Sequence, residues 1–191
     1  MDIIMVAGFT GSGKTKRIKE MMANEARQAD FAESGHSGGK PGKIMVLVND
    51  KGDEQYEGDT GPGDNREIVY IPQGCICCTL TAEFTSLLER ILKERPDKLF
   101  LELAATCYVQ DVIKIMEDMK IIANSRLKVV TMVSAEDCLY FVKYLGDFYR
   151  EQIESGHEIF VTHTEECKED ELMEISARLM ELNPGARIIC R

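Results

Sequence analysis

Seven short segments rich in apolar residues recur along the chain, and most are separated by stretches with helical periodicity. Continuous apolar runs of this length predict strands that are buried on both faces of a sheet. Strands that alternate with helices predict a parallel sheet with helices on both of its faces. The predicted strands cover residues 3–7, 43–49, 67–72, 98–102, 127–133, 158–162 and 187–190.

The stretches between these strands carry the spacing of amphipathic helices. The clearest of these predicted helices covers residues 81–95, with Phe84, Leu88 and Ile91 on one face. No internal repeat and no linker-like segment divides the sequence. The pattern therefore predicts one α/β domain over residues 1–191, in three α/β/α layers around a mostly parallel sheet. The predicted helices cover residues 14–30, 81–95, 107–120, 135–154 and 168–182.

A glycine-rich motif, GFTGSGKT at residues 8–15, directly follows the first predicted strand. It matches the phosphate-binding pattern G-x-x-x-x-G-K-S/T, in which glycines let the backbone N–H groups surround an anion. Lys14 would reach the β- and γ-phosphates, and the Thr15 hydroxyl would bind Mg²⁺. The helix that follows adds the positive end of its dipole. The predicted phosphate-binding residues are Gly8, Thr10, Gly11, Ser12, Gly13, Lys14 and Thr15.

One carboxylate follows the second predicted strand and another ends the fourth, at the sheet edge where open α/β proteins bind ligands. Asp50 comes first in an acidic stretch, for which a solvated loop is the alternative interpretation. Glu102 ends an apolar run, and a buried carboxylate is costly unless it is paired. Phosphate-loop enzymes keep a carboxylate near Mg²⁺ at such a position. We therefore predict catalytic roles for Asp50 and Glu102 beside Lys14 and Thr15.

Three cysteines, Cys75, Cys77 and Cys78, follow the third predicted strand within four positions. In an extended segment Cys75 and Cys77 would point to the same side. Two such thiolates supply half of a tetrahedral zinc site, and carboxylates or a second copy of the chain could complete it. The cluster predicts binding of Zn²⁺ or another divalent transition metal, and the alternative is a set of buried structural cysteines.

Composition narrows the class of partner. The 191 residues carry a formal net charge of −10, which disfavours nucleic acid and anionic membranes as partners. No apolar stretch approaches the length of a membrane span. Seven cysteines without a recognisable secretion signal favour reduced thiols and a cytoplasmic location.

Four motifs together resemble the CobW/HypB/UreG group of SIMIBI-class P-loop GTPases, and within it the CobW-like metallochaperones. They are GFTGSGKT at 8–15, VNDKG at 48–52, GCICCTL at 74–80 and NPGA at 183–186. The resemblance implies a protein whose nucleotide state controls binding of a transition metal, often zinc, and its transfer to a client metalloprotein. It also implies that a homodimer is possible. We expect the nucleotide-binding domain alone, without the C-terminal CobW domain.

Departures from the family pattern occur at three places in the chain. Ala105 stands where the family's E-x-x-G has its glycine, and Ser134 stands where the family has an aspartate. The guanine-reading N-K-x-D is replaced by THTE at residues 162–165. By position, the resemblance assigns base recognition to Thr162, His163 and Glu165, and the Glu165 carboxylate can still accept bonds from guanine.

Three functional hypotheses follow from these observations. The leading one is Mg²⁺-dependent binding and slow hydrolysis of a nucleoside triphosphate, with GTP preferred over ATP, coupled to metal delivery through the cysteine loop. The second is a diverged module that binds nucleotide and metal without hydrolysis, which the three departures favour. The third is an ATP-dependent small-molecule kinase, which leaves the cysteine cluster unexplained.

Overall fold

The structure is a computed structural model that describes residues 1–33, 42–49, 56, 65–71, 76, 81–141 and 146–191. Its strands are β1 (Asp2–Gly8), β2 (Ile44–Val48), β3 (Arg66–Tyr70), β4 (Lys98–Glu102), β5 (Arg126–Ser134), β6 (Glu158–Thr162) and β7 (Arg187–Cys190). Its α-helices are α1 (Lys14–Glu33), α2 (Thr81–Glu94), α3 (Val109–Asp118), α4 (Asp147–Glu154) and α5 (Glu169–Leu182). A 3₁₀ turn at Ile122–Asn124 and a π-helical turn at Asp137–Phe141 complete the elements.

The strands form one parallel sheet in the order β3-β2-β4-β1-β5-β6-β7. This arrangement confirms the predicted α/β fold of a P-loop NTPase. The central strand β1 lies between β4 and β5, and Val6 is in register with Glu102. Because parallel strands end at the same edge, the glycine-rich loop after β1 and the carboxylate that ends β4 become neighbours.

The helices divide unequally between the two faces of the sheet, as the alternation of side chains along each strand dictates. Ile3 and Met5 point toward one face, where buried side chains of α2 and α3 cover them. Further along the same face, α4 and α5 cover the ends of β5 and β6. Ile4 and Val6 point to the opposite face, where they pack with α1. Among the described helices, only α1, which carries phosphate-binding residues, contributes buried side chains to this face.

One predicted helix is wrong in its extent. The sequence favours a continuous helix over residues 135–154, whereas the structure has the π-helical turn first and α4 only from Asp147. Gly146 precedes α4 with φ −54° and ψ 154°, which is not helical backbone. Glycine is a poor helix former but a tolerated N-cap, so a new helix begins there. Residues 142–145 lie outside the described residues.

Candidate functional site

The loop between β1 and α1 has the backbone conformation that an anion-binding loop requires. Gly8, Gly11 and Gly13 have φ values of +139°, +80° and +90°. Residues that carry a Cβ rarely adopt such φ values, so glycines are needed at these positions of the turn. The first N–H groups of α1 open onto the same loop and add the positive end of the helix dipole.

Lys14 lies inside this loop rather than in solvent. Only 4% of the residue is exposed, and its Nζ donates hydrogen bonds to the carbonyl oxygens of Gly8 and Phe9, both at 2.9 Å. Ser12 is buried too, and its Oγ donates to the Phe9 carbonyl at 2.7 Å. Thr10 is exposed at the tip of the loop. The ammonium group is therefore held among backbone groups at the mouth of the sheet.

Thr15 and Glu102 meet beside the loop although 87 positions separate them in the chain. The Thr15 hydroxyl donates to Oε1 of Glu102 at 2.6 Å, and both residues are buried. Because the proton is directed at the carboxylate, the lone pairs of the Thr15 oxygen stay available to a cation. A hydroxyl and a carboxylate are hard oxygen donors, which suit Mg²⁺. The chemistry of the donor set therefore fits the expected magnesium ion.

Tyr56 is a residue of this site that the sequence analysis did not single out. Its hydroxyl donates to Oε2 of Glu102 at 2.6 Å, so each oxygen of the carboxylate accepts a short hydrogen bond. The residue is only 3% exposed and belongs to the apolar cluster that includes Ile18 and Val48. The one available signal is an aromatic residue inside a stretch otherwise rich in Gly, Asp and Pro.

A cavity of about 160 Å³ opens beside the phosphate-binding loop. It brings together Thr162, His163 and Glu165, the three residues that the resemblance assigns to the base. The Thr162 hydroxyl lies 3.1 Å from the carbonyl oxygen of Ser12 and joins the end of β6 to the loop. His163 follows with a φ of +56°, an unusual value for a residue other than glycine. Gly13, Lys16, Arg17, Glu20, Met132, Phe160 and Arg191 complete the lining.

Two arginines that line this cavity, Arg17 and Arg191, were not singled out by any sequence pattern. The guanidinium of Arg17 lies 4.0 Å from the centre of the Phe160 ring, and that of Arg191 lies 5.6 Å from it. Both arginines also pair with Glu20. Arg191 directly follows β7, and it lies at the cavity because β7 pairs with β6. No local sequence motif predicts this position of Arg191.

Four of the predicted site residues, Asp50, Cys75, Cys77 and Cys78, lie outside the described residues. The neighbouring Asn49 is described, and its N–H donates to the carbonyl oxygen of Glu102 at 2.9 Å. Among the residues whose side chains the structure describes, no three His, Cys, Asp or Glu side chains converge into a metal site. The cysteine site therefore stays a prediction.

Comparison with known sequences identifies the family. The model of the CobW/HypB/UreG nucleotide-binding domain matches residues 2–190. The chain belongs to this family. The match confirms the resemblance drawn from the motifs and covers the phosphate-binding loop, Glu102 and every residue named around the cavity except Arg191.

Curated relatives include the zinc chaperone CobW of a Sinorhizobium species, 33% identical over 57% of this chain and 29% of that protein. Another is the zinc-regulated GTPase metalloprotein activator 1 of Schizosaccharomyces pombe, 25% identical over 98% of this chain and 44% of that protein. The chain thus spans less than half the length of these two relatives.

Solved structures share the fold. Zn(II)-bound YjiA GTPase from E. coli superposes with a TM-score of 0.64 at 19% identity, over 98% of this chain and 56% of that one. The hydrogenase maturation factor HypB from Archaeoglobus fulgidus gives a TM-score of 0.64 at 18% identity, over 100% of this chain and 81% of that one. In the part of this chain that the structure describes, no helix is long and apolar enough to cross a membrane.

Proposed function

We propose that this chain binds a nucleoside triphosphate with Mg²⁺, prefers GTP, hydrolyses it slowly, and uses the nucleotide state to control binding and delivery of a transition metal. The observation that carries the nucleotide half of the proposal is the buried hydrogen bond between Thr15 and Glu102 beside the phosphate-binding loop. A hydroxyl and a carboxylate held together at the mouth of such a loop match the magnesium-binding pair of phosphate-loop NTPases.

Each residue of the loop would have a defined task. Lys14 would exchange its bonds to the Gly8 and Phe9 carbonyls for phosphate oxygens and neutralise their charge. Thr15 would hold Mg²⁺ through its oxygen, and Glu102 would orient the hydroxyl and accept bonds from bound water. When bound, Mg²⁺ would supply positive charge to the β- and γ-phosphate oxygens. Asp50 would join Glu102 in positioning water around the ion.

The cavity beside the loop is the proposed place for the base. The Glu165 carboxylate, exposed at its rim, would accept hydrogen bonds from the N1–H and 2-amino groups of guanine. Adenine has an acceptor at N1 and no 2-amino group, so the same carboxylate would repel it. This difference supports the preference for GTP over ATP.

The metal half of the proposal rests on the cysteines at positions 75, 77 and 78 and on the family. Two relatives are named for zinc, one as a zinc chaperone and one as a zinc-regulated activator of metalloproteins. Thiolates are suitable ligands for Zn²⁺, and their affinity for the ion should fall at low pH as they become protonated. The cargo would pass to a client metalloprotein.

Calorimetric titration of the reduced protein with GTP and ATP in Mg²⁺, with and without one equivalent of Zn²⁺, tests this function. We expect GTP to bind more tightly than ATP, and its affinity to change when Zn²⁺ is present, because coupling between two sites is reciprocal. Lys14→Ala should abolish nucleotide binding. Lys114→Ala is the matched control, because that lysine is exposed on α3, far in sequence from the loop, and its removal should leave binding intact. Normal GTP hydrolysis by Lys14→Ala would refute the scheme.

A second candidate function, a nucleotide-binding module without hydrolysis, is favoured by one specific contact. The carbonyl oxygen of Ala105 accepts a hydrogen bond at 3.0 Å from the buried side chain of Gln152. Ala105 occupies the position of the family's glycine, so this turn is both anchored and restricted in its backbone range. Single-turnover measurement of GTP cleavage separates the two functions, since tight binding with no cleavage would favour the module.

A further inference from the structure

Tyr56 is bound into the candidate magnesium site from a segment remote from the phosphate-binding loop. Its hydroxyl and that of Thr15 donate to opposite oxygens of the Glu102 carboxylate, both at 2.6 Å. All three side chains are buried, so water competes little for these bonds. The two donors together fix the rotation of the carboxylate about its last torsion, which is otherwise broad.

We propose that Tyr56 is a positioning residue that sets the Mg²⁺ affinity of the nucleotide site by holding Glu102 in this orientation. With the Tyr56 bond in place, Oε1 faces Thr15 and keeps the lone pairs of the Thr15 oxygen directed away from the carboxylate. Without it, Oε2 loses a short hydrogen bond, and the carboxylate holds its orientation toward the Thr15 hydroxyl less firmly. The inference rests on the proposed binding of nucleotide with Mg²⁺ at this site.

The other contacts of Tyr56 given by the structure involve its ring and its backbone, so the proposed role can be tested at the hydroxyl alone. The ring packs in the apolar cluster beneath α1, and the ammonium of Lys19 lies 5.6 Å from its centre. The backbone N–H of Tyr56 also donates to the hydroxyl of Tyr70, at 3.4 Å, at the end of β3. Both contacts use parts of Tyr56 that phenylalanine retains. Tyr56→Phe therefore removes the bond to Glu102 and leaves the packing.

The experiment measures GTP affinity over a series of Mg²⁺ concentrations, and once in EDTA, for the wild type and Tyr56→Phe. We expect Tyr56→Phe to raise the Mg²⁺ concentration for half-maximal effect by about tenfold, the size of one lost bond to a charged group. The affinity in EDTA should change little, because no ion then depends on the orientation of Glu102. The thermal unfolding midpoint should fall by only a few degrees, the effect of one buried acceptor that loses its donor.

Two further variants make the result specific. Tyr149→Phe is the matched control, since Tyr149 is a fully buried tyrosine whose hydroxyl faces the Cys138 thiol rather than Glu102, and it should retain the wild-type Mg²⁺ dependence. In a Glu102→Gln background, Tyr56→Phe should add much less than it does alone, because both changes act through the same carboxylate.

The outcomes separate the inference from the proposed function. A wild type that binds GTP without any response to Mg²⁺, or that binds no nucleotide, refutes both. A wild type that responds to Mg²⁺ while Tyr56→Phe responds identically refutes the role of Tyr56 alone. An equal loss of affinity with Mg²⁺ and in EDTA would also overturn it, because it would mark Tyr56 as a purely structural residue.

Discussion

Gly8 is the residue at which the fold constrains the phosphate-binding loop most tightly. Its φ is +139°, and a Cβ built there would lie 2.3 Å from the backbone oxygen of Met132 on the neighbouring strand β5. A backbone atom inside a sheet cannot move aside without disturbing the pairing of β1 with β5. At Gly11 the φ is also positive, +80°, but a Cβ would have no neighbour within 4 Å.

These two glycines give a matched test. We expect Gly8→Ala to lower the free energy of unfolding by about 3 kcal/mol or more, from backbone strain and overlap together. Gly11→Ala should cost about 1 kcal/mol, the strain of a left-handed residue alone. Urea unfolding of the two variants and the wild type measures both values. Equal losses would contradict the expectation that overlap between the introduced Cβ and the Met132 backbone oxygen destabilises Gly8→Ala.

The candidate-site residues that can be singled out from the sequence are those whose chemistry is encoded locally. Lys14 and Thr15 lie in a motif of eight consecutive residues, and Glu102 ends an apolar strand, so each could be identified without knowledge of the fold. Tyr56 and Arg191 could not be identified this way. Each reaches the candidate site through a contact remote in sequence, the first with Glu102 and the second through the pairing of β7 with β6.

At the scale of elements, the family motif NPGA at 183–186 has a structural explanation. The side-chain nitrogen of Asn183 lies 2.8 Å from the carbonyl oxygens of Ile153 and Gly156, and 3.1 Å from that of Glu154. These carbonyls belong to the C-terminal end of α4 and the residues just after it, where the regular backbone bonding of the helix ends. Asn183 thus joins the end of α5 to the end of α4.

The positions of most helices and strands were predictable because each has its own hydrophobic period. The interruption before α4 was not, since Tyr149, Gln152 and Ile153 keep a helical spacing behind it. A helix cap supplied by a residue of another element likewise cannot be predicted from the sequence. Tyr108 stands at the N-cap of α3 and makes no side-chain cap, whereas Glu151 of α4 accepts bonds from the N–H groups of Val109 and Gln110 at 2.9 and 2.8 Å.

The capping contact leads to a prediction about α3. Glu151→Ala leaves two N–H groups at the start of α3 without their acceptor and removes a negative charge from the positive end of its dipole. We expect a loss of about 1–2 kcal/mol in the free energy of unfolding, measured by urea denaturation. Glu154→Ala is the control, because Glu154 forms an exposed pair with Arg150 on the same helix and should contribute little. Indistinguishable stabilities of the two variants would rule out the cap.

At the scale of the whole molecule, two buried polar groups connect α4 with its surroundings. Burial raises the pKa of the Cys138 thiol from 9.0 to about 12. Burial likewise raises the pKa of the Tyr149 hydroxyl, which lies 3.8 Å from the Cys138 sulfur. Both groups are neutral in the folded protein well above the pH at which they ionise in the unfolded chain.

This difference predicts a loss of stability in alkali. Because the folded pKa of Cys138 is raised, its contribution is complete below pH 9 and is lost as the pH rises from about 9 toward about 12. The free energy of unfolding should fall there by up to about 1.4 kcal/mol per pH unit for this thiol. Urea denaturation between pH 8 and about 10, below most of the Tyr149 contribution, measures the slope.

Cys138→Ala should flatten the slope in this range, even though it lowers the overall stability by removing a buried side chain. Met180→Ala instead truncates an exposed side chain of α5 and should retain the wild-type slope, since it removes no ionisable group. If all three proteins lose stability in parallel as the pH rises, ionisation of Cys138 does not cause the fall in the free energy of unfolding. The alkaline loss would then have to come from other groups whose pKa is raised in the folded protein, such as Tyr149.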